Sequence, residues 1–144
     1  MSATMFPEVE GPMQYHLYIG FAEADGSNVR SDIARLEKLG LKIFPRSDAD
    51  QPVTPARISE GTCSSQKCLL YVSEEYSRDP LHDVETKAVL AKATSFTRDV
   101  LIAFAELPDF GSSALAGLRD FVQRRPQDDD DAAWLEFAKD VAKG

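Results

Sequence analysis

Two apolar strands, each running straight into a polar loop that opens a helix, constrain this 144-residue chain more than any other feature. The first is Tyr15-His-Leu-Tyr-Ile-Gly-Phe21, followed by Ala22-Glu-Ala-Asp25. The second is Lys67-Cys-Leu-Leu-Tyr-Val-Ser73, followed by Glu74-Glu-Tyr76 and a helical segment that carries Glu85. Nearly continuous apolar runs of this kind belong to strands covered on both faces. Alternating with helices, they define an α/β fold, flavodoxin-like in kind, with a mainly parallel sheet and helices on both faces. In such sheets the loops beyond the carboxyl ends of the strands hold ligands and partners.

The remaining elements follow from local signals. Asp25-Gly-Ser-Asn28 is a helix start, because short polar side chains accept hydrogen bonds from the free N–H groups of a first turn. Val29, Ile33 and Leu36 repeat at helical spacing, and Gly40 closes that helix. Leu41-Lys-Ile-Phe44 reads as a second strand, ended by Pro45. The stretch from Pro45 to Pro55 continues neither element. Thr54 caps a helix over 55–64 with Pro55 in its first turn. Its apolar face is thin, carried by Ile58 and Cys63. Ser77-Arg-Asp79-Pro80 leads into a helix with an expected inward stripe of Leu81, Val84, Ala88 and Ala91. Val100–Ala105 is a fourth strand, and Asp120–Gln123 a weak edge strand, the fifth. A last helix over about 130–143 turns Trp134, Phe137 and Val141 inward. Residues 1–12 read as a disordered leader, and 13–144 as one domain.

Composition narrows the function classes. The net charge of −8 argues against nucleic-acid binding, which rests on phosphate neutralisation by Lys and Arg. It also disfavours docking on anionic lipid. No apolar run approaches the roughly 20 residues of a membrane helix, and the first dozen residues carry no secretory signal. Cys63 and Cys68, the only cysteines, have neither redox nor zinc spacing and are expected to be small buried apolar groups in a reducing, cytoplasmic setting.

Four stretches in this order resemble the Toll/interleukin-1 receptor (TIR) domain family, over about residues 13–143. Tyr15–Asp25 is similar to its first box, and Leu39-Gly-Leu-Lys-Ile-Phe44 to its second strand. Arg46, Asp48 and Pro52 resemble the arginine, aspartate and proline of its second box, the BB loop. Ser65–Ser73, Glu74-Glu-Tyr76 and Glu85 keep the family spacing from third strand to helical glutamate, and Ala133-Trp134 looks like the third box. Gly20 stands where a serine is usual, Val53 where the BB loop usually has glycine, and Leu81 where a tryptophan usually precedes the glutamate. The resemblance implies a three-layer TIR domain with a five-stranded sheet.

It also implies a function. The leading expectation is a protein–protein interaction module in innate-immune signalling, an adaptor or regulator associating with other TIR domains and capable of weak homo-oligomerisation. The loop 45–54 would be the contact, through Arg46, Asp48, Asp50, Pro52 and Val53. The surfaces of the helices near 55–64 and 77–94 would join it. A proline-rich loop of that length inside a compact domain is usually functional or disordered. The acid-rich surface would select a partner with a basic patch. The alternative is an NAD-cleaving hydrolase in which Glu85 engages the nicotinamide ribose, since a carboxylate suits an oxocarbenium-like centre. NAD would then be a substrate; no cofactor or metal is expected. Glu23 stands where some NAD-cleaving relatives carry a basic residue. His16 reads as a hydrogen-bonded core histidine, His82 as a titratable group without a relay partner, and Asp128–Asp131 as a solvated helix cap.

Overall fold

The computed structural model describes residues 14–45, 53–95, 100–105, 117–118 and 121–142. Strand β1 (Tyr15–Gly20) leads through a 3-10 turn (Glu23–Asp25) into α1 (Gly26–Lys38). Then come α2 (Pro55–Ser64), β2 (Ser65–Val72), α3 (Glu74–Arg78) and α4 (His82–Ser95). Strands β3 (Leu101–Ala105) and β4 (Val122–Gln123) precede α5 (Asp131–Ala142). The four strands lie in the order β1-β2-β3-β4, every pair parallel.

The expected five-stranded sheet is therefore four-stranded among the described residues. The segment Leu41–Phe44 contributes a single parallel bridge, Leu17 to Ile43, on the free side of β1. Its backbone hydrogen bonds to β1 are three: the His16 and Leu17 N–H groups donate to the Lys42 carbonyl at 2.8 and 3.3 Å, and the Phe44 N–H to the Leu17 carbonyl at 2.9 Å. The helix terminus just before it and Pro45 just after it leave no length for more. That terminus forms as expected: Gly40 has φ 103°, and the Gly40 and Leu41 amides return to the Glu37 and Leu36 carbonyls. Because Ile43 flanks β1 on one side and β2 on the other, the connection reverses direction here. The crevice of such a reversal lies at the carboxyl ends of β1 and β2.

Period-two alternation sends β-strand side chains to two cores. Leu17, Ile19, Leu69, Ile102 and Phe104 pack against Val29 and Leu36 of α1 and Trp134, Phe137, Ala138 and Val141 of α5. Tyr18, Cys68, Leu70, Val72 and Ala103 pack against Ile58 of α2, Tyr76 of α3, and Val89 and Ala93 of α4. This is a three-layer α/β/α domain. Thr54 caps α2, its hydroxyl accepting the Arg57 N–H at 3.1 Å, with Pro55 in the first turn. Gly61 sits against the rings of Tyr18 and Phe44, too close for a methyl group, so α2 lies tight on β1.

Two expectations about packing change. On α4 the buried side chains are Glu85, Thr86, Val89, Lys92 and Ala93, while Val84 is 39% exposed and Ala91 is exposed. The helix is turned by the hydrogen-bonding needs of a buried carboxylate, which apolar spacing does not register. On α2, Ile58 is buried but Cys63 is exposed, since Gly61 and Thr62 occupy the face against the sheet. Cys68 is buried as expected.

Candidate functional site

Glu85 lies in the first turn of α4, fully buried. The Tyr18 hydroxyl, from β1, donates to its Oε2; the Tyr76 hydroxyl, from α3, donates to Oε1 at 2.9 Å. Tyr76 is aimed there by the start of α3, where the Ser73 hydroxyl accepts the Tyr76 N–H at 3.1 Å. Gly20 completes the enclosure. A Cβ on residue 20 would lie 2.5 Å from Glu85 Cδ and Oε1 and 2.6 Å from Leu70 Cδ2. The carboxylate fills the space that a side chain at position 20 would take. Burying a carboxylate is costly unless its oxygens are hydrogen-bonded, and the two phenols meet that need. Nearby, burial pushes the Cys68 thiol up to about 12, with Lys92 opposing the rise and Glu85 adding to it.

Of the loop 45–54, only the flanks are described. Arg46, Asp48, Asp50 and Pro52 lie outside the described residues. Val53 is half-buried and packs against the core on the α2–α4 side. Arg57 ties the flanks together: Nη2 donates to the Pro45 carbonyl at 2.5 Å, and the guanidinium lies 4.8 Å over the Phe44 ring.

On the opposite face of the sheet, a cleft of about 730 Å³ opens between α1 and the carboxyl ends of β2, β3 and β4. Asp32 of α1, only 3% exposed, organises its wall. Arg125 grips it with two bonds, Nε to Oδ2 at 2.9 Å and Nη2 to Oδ1 at 2.7 Å. The Tyr71 hydroxyl donates to Oδ2 at 2.8 Å. Arg125 also donates to Asp128 at 2.7 Å and lies 5.2 Å over the Trp134 ring. The hydrogen bond to Asp32 raises the Arg125 pKa above its already high value. Burial, then the Asp32 charge, raises that of Tyr71. The bond from Arg125 holds the exposed Asp128 carboxyl below the usual range.

The other residues that the sequence singles out fall into place individually, not as one site. His16 is buried, and its Nδ1 accepts the Lys42 N–H at 2.9 Å, the core histidine expected. His82 Nδ1 donates to the Asp79 carbonyl at 2.8 Å. Asp25 precedes α1 as expected but makes no side-chain cap; it accepts the Ser73 hydroxyl at 2.5 Å, a stitch across the β1–β2 crevice. Glu23 is exposed. In the acidic run Asp130 caps α5, accepting the Ala133 N–H at 3.0 Å. No three His, Cys, Asp or Glu cluster to hold a metal among the described residues, and no helix there is long and apolar enough to cross a membrane. Sequence reasoning passes over Asp32, although an acid between Val29, Ile33 and Leu36 on an apolar face is a visible signal. Nothing in the sequence marks Arg125 as its partner.

The fold is shared with solved structures. A TIR-STING receptor from C. gigas in complex with 2′,3′-cGAMP superposes with a TM-score of 0.72 at 16% identity, covering 95% of this chain and 42% of that one. The TIR domain of the Toll-related receptor TRR-2 from Hydra magnipapillata gives a TM-score of 0.63 at 17% identity, over 88% of this chain and 98% of that one. The chain has the fold of a TIR domain. It spans less than half the length of the TIR-STING receptor. No family model matches the sequence, and no curated protein matches it.

Proposed function

We propose that this domain is a protein–protein interaction module that associates with other TIR domains in cytoplasmic innate-immune signalling, as an adaptor or regulator. The observation that carries the reading is the enclosure of Glu85: both carboxylate oxygens are engaged by tyrosine hydroxyls, and the residue has no exposed surface. A carboxylate so placed ties β1, α3 and α4 together and presents nothing to a substrate. The fold of a Toll-related receptor's TIR domain supports recognition by shape and charge, which requires no chemistry. The loop 45–54 is the contact in this reading, with Val53 packed against the core. Weak contacts of this kind gain strength when several copies are clustered.

The test runs the two activities side by side. Sedimentation at rising concentration, alone and with a second TIR domain, should show association that Pro52→His weakens while circular dichroism stays unchanged. Concentrated or clustered protein incubated with NAD should release no nicotinamide. Robust release that disappears in Glu85→Gln would overturn the proposal in favour of NAD cleavage. Full-strength association by Pro52→His would remove the loop from the contact.

A further inference from the structure

We propose that the cleft beside α1 binds a phosphate monoester of mononucleotide size, at a site separate from both Glu85 and the loop 45–54. Its volume, about 730 Å³, falls within the roughly 300–1,000 Å³ typical of small-molecule sites. It also opens at the carboxyl ends of parallel strands, where this architecture places ligands.

The ligand's chemistry follows from an inventory of what lines the cleft. Its acidic groups are already engaged. Both oxygens of Asp32 receive bonds from Arg125, and Oδ2 a further one from Tyr71. Asp128 is paired with Arg125, and Asp25 takes the Ser73 hydroxyl. The donors are in surplus. Arg35 lies 4.9 Å over the Trp134 ring, and its Nη1 is sealed from solvent with no acceptor. A buried N–H in that condition costs free energy that any acceptor brought within reach returns. Arg35 is itself among the residues that line the cleft. Arg124 stands across from it, exposed and with no partner among the described residues, and Asn28 adds an uncommitted amide on the α1 wall.

Donors on two facing walls suit a tetrahedral group better than a planar one. A phosphate monoester carries close to two negative charges and three acceptor oxygens, enough to serve Arg35, Arg124 and Asn28 together. The organic part has an apolar floor to rest on. Tyr71 and Phe104 pair edge to face there, with centroids 5.4 Å apart. In a chain of net charge −8, an anion would be held here by local donors, not by the overall field.

The experiment is an amide chemical-shift titration of the full chain with adenosine 5′-monophosphate, inorganic phosphate and adenosine. The monophosphate should shift amides of α1 between residues 28 and 35 and of residues 123–125. Inorganic phosphate should move the same amides at higher concentration, and adenosine should bind at least about tenfold more weakly, the worth of one charge-assisted contact. Arg124→Ala, at an exposed position that leaves the fold alone, should weaken the monophosphate about tenfold, whereas Arg35→Lys should retain part of the affinity. Equal affinity for adenosine and its monophosphate would overturn the proposal. So would undiminished binding by Arg124→Ala, or shifts centred on Tyr18 and Tyr76 instead of α1.

Discussion

Two helices of this domain each bury an acidic side chain against the sheet, on opposite faces and with opposite surroundings. Glu85 on α4 is enclosed: phenol hydroxyls reach both oxygens, and Gly20 lies so near that not even a methyl group fits between. Asp32 on α1 is almost as buried, yet its partner Arg125 keeps 35% of its side chain exposed, and the pair forms the wall of an open cleft. The same burial thus serves two ends. An acid on one helix, held by donors from two other elements of the fold, locks the three together. An acid held by a half-exposed guanidinium organises a surface that a ligand can still reach.

The sharpest way to break this contrast is Glu85→Ala. It removes the acceptor of two buried hydroxyls and opens a void, and should cost about 3–4 kcal/mol in urea unfolding. A loss below about 1 kcal/mol would mean that Glu85 is not a lock. Asp32→Ala should cost less, about 2 kcal/mol, because Arg125 is partly solvated and retains Asp128. Gly20→Ala should cost about 2 kcal/mol through overpacking, and much less when Glu85→Ala is already present. A double-mutant cycle measures that relief; additivity would contradict the contact.

The smallest effect concerns pH. The Tyr71 phenol has an ordinary pKa of 10.0, and burial raises it in the folded protein. The folded state therefore binds this proton more tightly than the unfolded chain does. Its contribution is full below pH 10 and is lost as pH climbs through the raised value. Tyr71→Phe should cost about 1 kcal/mol at neutral pH, from the lost bond to Asp32, and should flatten the decline of stability between pH 10 and 11. An unchanged slope would remove Tyr71 from the alkaline transition.

The strands β1 and β2 were legible because buried parallel strands are written as unbroken apolar runs, and the end of α1 because Gly40 alone tolerates its backbone angle. The face of α4 was not legible. Its buried positions include Glu85, Thr86 and Lys92, and the Glu85 carboxylate is met by Tyr18 from 67 positions away, while Val84 faces water. The second strand shrank to a bridge because pairing length is set by the neighbouring turns, not by β-propensity. The cleft was the least visible part: Arg125 meets Asp32 across 93 positions, a distance no local pattern spans. The position of Glu85 was legible; its enclosure by Tyr18, Tyr76 and Gly20 was not.

Phe44 belongs to the core on the Glu85 side and precedes Pro45 in the chain. Its ring stands beside Tyr18, with centroids 5.8 Å apart, and under the guanidinium of Arg57, which holds the Pro45 carbonyl. Close-packed rings do not deform gradually; they stay in place or move as a group. A continuous run of contacts therefore joins Pro45 to the acid at the centre: its carbonyl to Arg57, Arg57 to Phe44, Phe44 to Tyr18, and the Tyr18 hydroxyl to Glu85.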